Sequence, residues 1–172
     1  MELKGEQIIK APRDVVFAAL NDPDVLKESI PGCQVLTKLS DTEMEAEVGL
    51  KIGPVKATFK GAVQLSNIKA PESYTIQGEG KGGAAGHAKG GADVALREED
   101  GHTVLAYDVN AQVGGKLAQL GSRLIDSTAR KLSAQFFTRF GKIVEAEQGG
   151  ESGDEAGKKS LWGRLKTSVA GS

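Results

Sequence analysis

A chain of 172 residues, 26% of them charged and 5% aromatic, is long enough for one compact domain with a tail, and at that size a buried core suffices without disulfides. Its single cysteine, Cys33, excludes an internal disulfide framework and any iron–sulfur cluster, which takes several cysteines, and a net charge of −1 argues against general nucleic-acid binding. No secretory apolar region follows Met1, and no stretch approaches the ~20 apolar residues of a spanning helix, so a cytoplasmic protein is expected.

Residues 3–11 read as a strand. Pro12 stands where a short helix begins, with Val15, Val16, Ala19 and Leu20 as its apolar face, and Asn21, Asp22 and Pro23 end it. A second short helix is expected over 23–30, with Val25, Leu26 and Ile30 inward, stopped by Pro31 and Gly32. The pattern then alternates. Across 42–52, Met44, Ala46, Val48, Leu50 and Ile52 alternate with Glu43, Glu45, Glu47, Gly49 and Lys51. Across 55–65, Val55, Ala57, Phe59, Gly61, Val63 and Leu65 alternate with mostly polar partners, and Gly53 and Pro54 make the turn between the two runs. A period of two this regular predicts an antiparallel sheet with one dry and one wet face. Another strand begins at Tyr74 and Ile76, one more carries Ala92, Val94 and Leu96, and 98–101 is a polar turn. Leu105, Tyr107, Val109, Ala111 and Val113 close the series.

After Gly114 and Gly115 the period becomes helical. Leu117, Leu120, Leu124, Thr128, Leu132, Phe136 and Phe140 recur at intervals of three and four, predicting one helix over 116–145, about 45 Å long. The order of strand, two short helices, about six strands and one long helix predicts an α+β domain, with the helix lying across a curved antiparallel sheet.

Residues 78–93, GEGKGGAAGHAKGGAD, hold seven glycines. A phosphate loop would need a strand before it and a helix directly after it; here strand signals lie on both sides and no helix starts before 116. The stretch reads as a hairpin of small residues, with strands of about 74–84 and 87–98 meeting near Ala84, Ala85 and Gly86. Glycines at 78, 80 and 82 remove side chains from the inward face, which either lets the sheet bend or leaves a hollow under the long helix, or both.

Three segments carry a family resemblance: IPGCQVL at 30–36, GEGKGGAAGHAKG at 78–90, and AQVGGKLAQLGSRLIDSTARKLSAQFF at 111–137. Over about residues 1–147 the chain resembles the CoxG family of carbon monoxide dehydrogenase subunits, part of the START-like, Bet v 1-like SRPBCC superfamily. The resemblance implies a helix-grip fold, with a seven-stranded antiparallel sheet around a long C-terminal helix and an apolar cavity between them. It also implies a partner, a molybdenum hydroxylase of the carbon monoxide dehydrogenase type, which such proteins help recruit to the membrane and its quinone pool.

Catalytic chemistry is sparse. His87 belongs to the glycine hairpin and His102 to a polar turn, and with Cys33 they offer no metal ligand set. Cys33 reads as a small hydrophobe at a strand start. Glu43, Glu45 and Glu47 share the wet face. The dry face offers only the hydroxyls of Tyr74 and Tyr107, so an enzyme is not expected. An apolar hollow of this kind suits a lipid or a prenyl quinone, menaquinone or ubiquinone, bound without a covalent link; each buried CH₂ contributes about 0.8 kcal/mol, and Tyr107 is placed to donate to a quinone carbonyl. The expected walls are Phe59, Gly61, Val63, Ile76, Gly78, Tyr107, Val109, Leu117, Leu120, Leu124 and Ile125. Two other readings stand beside the carrier: a solid-cored adaptor that tethers the hydroxylase, and a START-like enzyme acting on a hydrophobic small molecule.

Beyond the domain of 1–147, residues 148–157 are glycine- and acid-rich and read as a flexible linker. In 158–172, Leu161, Trp162, Leu165 and Val169 fall on one helical side, and Lys158, Lys159, Arg164 and Lys166 supply charge with no acid among them. That is an interfacial pattern, with Leu161, Trp162, Arg164, Leu165 and Lys166 as the membrane-binding residues, and it implies a peripheral location at the inner face of the cell membrane.

Overall fold

A computed structural model describes residues 1–153, with side-chain surroundings as far as Glu147. Strand β1 (Glu2–Ile9) is followed by helices α1 (Arg13–Leu20) and α2 (Pro23–Ser29). Strands β2 (Cys33–Lys38), β3 (Glu43–Ile52), β4 (Val55–Lys69), β5 (Ser73–Lys81), β6 (His87–Glu99) and β7 (His102–Gly114) come next, and helix α3 (Ser122–Gly153) is last. Short 3-10 turns at Gly83–Ala85 and Gly115–Leu120 join β5 to β6 and β7 to α3. The strands form one antiparallel sheet in the order β1-β7-β6-β5-β4-β3-β2, a meander closed on one side by the first strand.

The local chemistry explains the elements. Pro12, extended at φ −63° and ψ 154°, leads into α1. Asp22 caps α2 by accepting the Asp24 N–H at 2.9 Å, and Pro23 occupies the first turn, where its missing N–H costs nothing. Long-range hydrogen bonds fix α1 and α3 against the sheet: the Lys10 N–H donates to Glu145, the Arg13 N–H to Glu98, and the buried Thr103 hydroxyl to the Ala11 carbonyl at 2.7 Å.

Strand β2 starts at Cys33, where a strand start is expected; its register shifts between Cys33 and Val35, and as an edge strand it exposes Val35. Three sequence expectations change. Strand β4 runs past residue 65 to Lys69, through an irregularity at which Asn67 takes φ 51°. The helix expected over 116–145 is two pieces: the apolar rhythm is continuous, but Gly121 at φ +90° separates the 3-10 turn from α3. Backbone helix also continues to Gly153, through the first part of the linker expected from 148. The basic segment 158–172 lies outside the described residues.

Two apolar clusters stand between sheet and α3. The larger joins α1, α2 and the C-terminal half of α3 to the sheet through Val16, Leu20, Leu65, Leu105, Phe140 and Val144. The smaller, at the other end of the sheet, comprises Ile52, Phe59, Ala85 and Leu117, with Leu120 and Leu124 packed against it.

Candidate ligand-binding site

Between those clusters the inward side chains almost vanish. Strand register puts Ala46, Gly61, Gly80, Ala88 and Val113 in one row across β3 to β7. The adjacent row is Met44, Val63, Gly78, Gly90 and Ala111. On β5 and β6 the concave face is thus reduced to hydrogens and a methyl group, with Val63 beside them on β4. A Cβ built on Gly80 would meet only the Lys60 carbonyl oxygen, at 4.0 Å. One on Gly61 would meet the Glu79 oxygen at 3.3 Å, and one on Gly78 the Ala62 oxygen at 3.4 Å and Val63 at 3.6 Å. All of these neighbours belong to adjoining strands, so α3 stands off from the floor of the band.

The rim agrees. From the sheet, Val63, Ile76, Val109 and Val113 are only half-buried; from α3, so are Leu124, Leu132 and Phe136, on the stripe that continues into the buried Phe140 and Val144. Water therefore reaches the inward side of both layers. The middle of the grip is an open apolar trough, while its two ends are packed.

Apart from Ile125, which is buried at the start of α3 but belongs to neither cluster, the residues expected as walls come to this concave side, in three groups. Gly61, Gly78 and Val109 belong to the floor. Val63, Ile76 and Tyr107 pack against the larger cluster. Phe59 and Leu117 are buried in the smaller cluster, against which Leu120 and Leu124 close one end. Sequence reading names Gly80 as a gap in the inward face but leaves out the other small floor residues, Ala46, Gly90, Ala88 and Ala111. Their signal is the coincidence of small residues at paired positions on neighbouring strands, visible only once register is known.

Some groups have another task. Gly82 makes room for a ring rather than a ligand: its Cβ would fall within 2.7 Å of Phe59 Cδ1. Tyr107 stacks on Phe137, with ring centroids 5.4 Å apart, and folds its hydroxyl over Gly5 of the edge strand β1. Tyr74 lies in the core, edge-on to Phe17 at 5.6 Å, and burial pushes its hydroxyl pKa well above the ordinary value. Cys33 is partly buried; desolvation raises its thiol pKa, against an opposing pull from Lys27. His87 and His102 are exposed, and among the described residues no group of three or more His, Cys, Asp or Glu is placed to hold a metal.

Two shallow grooves, of about 380 and 280 Å³, open elsewhere, on the outer face of β5, β6 and β7 around Thr75, Asp93 and Asp108. Thr75 donates to Asp93 at 2.8 Å, and Lys4 pairs with Asp108 at 3.6 Å.

The family model of the carbon monoxide dehydrogenase CoxG subunit matches residues 5–144. No curated protein matches the sequence. Among solved structures, a conserved protein from Geobacillus kaustophilus is 28% identical, with a TM-score of 0.80 over 86% of this chain and 97% of that one. Ara h 8.0201 is 15% identical, with a TM-score of 0.61 over 85% and 98%. Protein Ms6760 from Mycobacterium smegmatis is 13% identical, with a TM-score of 0.63 over 84% and 91%. The two more distant likenesses concern the fold alone, which is the helix-grip arrangement expected from the sequence.

Proposed function

Since the chain belongs to the CoxG family of carbon monoxide dehydrogenase subunits, we propose that it is a non-enzymatic carrier of a hydrophobic ligand, a lipid or a prenyl quinone such as menaquinone or ubiquinone, which helps couple a carbon monoxide dehydrogenase-type molybdenum hydroxylase to the membrane. The observation that carries this reading is the trough floored by Gly61, Gly78 and Gly80, over which α3 offers the half-buried Leu124, Leu132 and Phe136. Burial of an isoprenoid or acyl chain there is favourable by about 0.8 kcal/mol per CH₂. With few polar groups facing the trough, binding rests on shape and apolar area, and the stacked Tyr107 serves as a wall more than as a hydrogen-bond donor. No described helix is long and apolar enough to cross a membrane; in this reading the membrane is met peripherally, with 158–172 as one contact.

Native mass spectrometry of the protein purified from membranes tests the carrier directly. A bound lipid or quinone is expected; a bare polypeptide mass under gentle ionisation would remove the carrier and leave the solid-cored adaptor.

A further inference from the structure

We infer that the end of the sheet formed by the β3–β4, β5–β6 and β7–α3 connections is a docking surface for an anionic lipid bilayer. These connections meet in space. Ile52, Phe59, Ala85 and Leu117, one or more from each, form the smaller apolar cluster, and a Cβ on Gly53 would touch Leu124. Over 48–61, 80–92 and 109–125 the sequence contains no Asp or Glu. It does contain Lys51, Lys56, Lys60, Lys81, Lys89, Lys116 and Arg123, all exposed, and none is in an ion pair among the described residues. At the opposite end the acids prevail: Asp41, Glu72, Glu98, Glu99 and Asp100 stand in or beside the turns, against Lys38, Lys69 and Arg97. A chain of net charge −1 is therefore polarised along the grip.

Strand register sharpens the point. Lys51 lies directly opposite Lys56, and Lys60 directly opposite Lys81. Like charges facing each other on a sheet disfavour the folded state, and two such pairs at one end call for an external anion. Two acids lie beside them, Glu47 opposite Lys60 and Glu79 opposite Lys89; they offset two of the seven cations, and the end keeps a net positive charge. The cations surround an apolar tip with the half-buried Val55 and Leu120 rather than a single groove, which fits a broad charged plane whose headgroups meet the lysines while the tip sits among them. The choice of a bilayer rests on the proposed carrier function, because an apolar cargo has to be exchanged with a membrane.

The test uses the full chain, tail included, in flotation with vesicles of phosphatidylcholine alone or with about a third phosphatidylglycerol, at ~0.1 M salt. Lys51→Gln, Lys56→Gln, Lys60→Gln and Lys81→Gln are combined. A control combines Lys10→Gln, Lys27→Gln, Lys69→Gln and Lys142→Gln, with the same change of charge elsewhere on the surface. At about 1 kcal/mol for each basic residue near an anionic surface, the first variant should lose at least about tenfold in affinity for anionic vesicles and the control less than about threefold. Equal losses, no loss in the first variant, or no preference of the parent chain for anionic vesicles would overturn the inference, the last pointing to an acidic protein partner. The outcome is separable from the carrier reading: a chain found without ligand that still loses vesicle affinity through these four lysines would leave the docking surface standing and remove the carrier.

Discussion

Gly61 and Gly80 face each other across the β4–β5 ladder, and nothing of α3 lies within 4 Å of where either side chain would begin. Two hydrogens opposite each other at the centre of a seven-stranded sheet are poor for packing, since glycine in a strand costs about 0.5–1 kcal/mol relative to alanine. The space they leave is the trough.

Gly80→Leu fills that space. The backbone there has ordinary φ, and the nearest obstacle is a carbonyl oxygen at 4.0 Å, so the variant should keep its melting temperature within a few degrees of the parent. Ligand occupancy, read by native mass spectrometry, should fall at least tenfold. Unchanged occupancy in a folded variant would place the ligand elsewhere.

Gly90→Ala should behave in the opposite way, although Gly90 belongs to the same glycine-rich hairpin. A Cβ there would collide with the Asn110 oxygen and come within 2.7 Å of Ala111 Cα, both backbone of the neighbouring strand. Backbone cannot swing aside as a side chain can, so a loss of about 2–3 kcal/mol is expected in urea unfolding. A loss under about 0.5 kcal/mol would mean that β6 and β7 are farther apart than described.

Stability should fall at high pH, in part through Tyr74. Burial raises its folded-state pKa above the unfolded value near 10. The folded chain therefore holds the proton more tightly. Above about pH 10 the unfolded chain releases its proton while the folded one keeps it, so the unfolded state binds fewer protons and stability declines. The contribution is fully present below the unfolded pKa and is lost as pH rises toward the folded one. Tyr74→Phe should flatten the decline between about pH 10 and 11.5 in denaturant titrations; an identical slope in the two proteins would assign the effect to other groups.

Removing residues 158–172 should reduce flotation with anionic vesicles severalfold without changing the melting temperature, because the helix-grip core closes through Phe140 and Val144, well before that segment. Equal flotation with and without the segment would remove its proposed membrane contact.

The concave face was readable strand by strand. Alternation in β3 and β4 named Met44, Phe59, Val63 and Leu65 as inward, and they are. The helical stripe named Phe136 and Phe140. What alternation does not carry is which glycine spares room for what. Gly82 yields to the Phe59 ring, Gly90 to a neighbouring backbone and Gly80 to open space, and each looks the same in the string GEGKGGAAGHAKGG. Tyr107 shows the same limit: period two places it on the dry face, while the turn of its ring over Gly5 depends on Gly5 being its register partner more than a hundred residues earlier.

Taken alone, the amino-acid order determined the α+β class, inward residues of β3 to β7 and the apolar stripe of the last helix, because these follow from local periods of 2 and about 3.6 set by backbone geometry. Tertiary structure decided the rest. Register aligned single small residues from β3 to β7 into one floor, divided the apolar residues into two clusters with a trough between them, and gathered lysines in and beside three separate connections at one end. Those are relations between distant segments, fixed by pairing across the sheet, and no local pattern contains them.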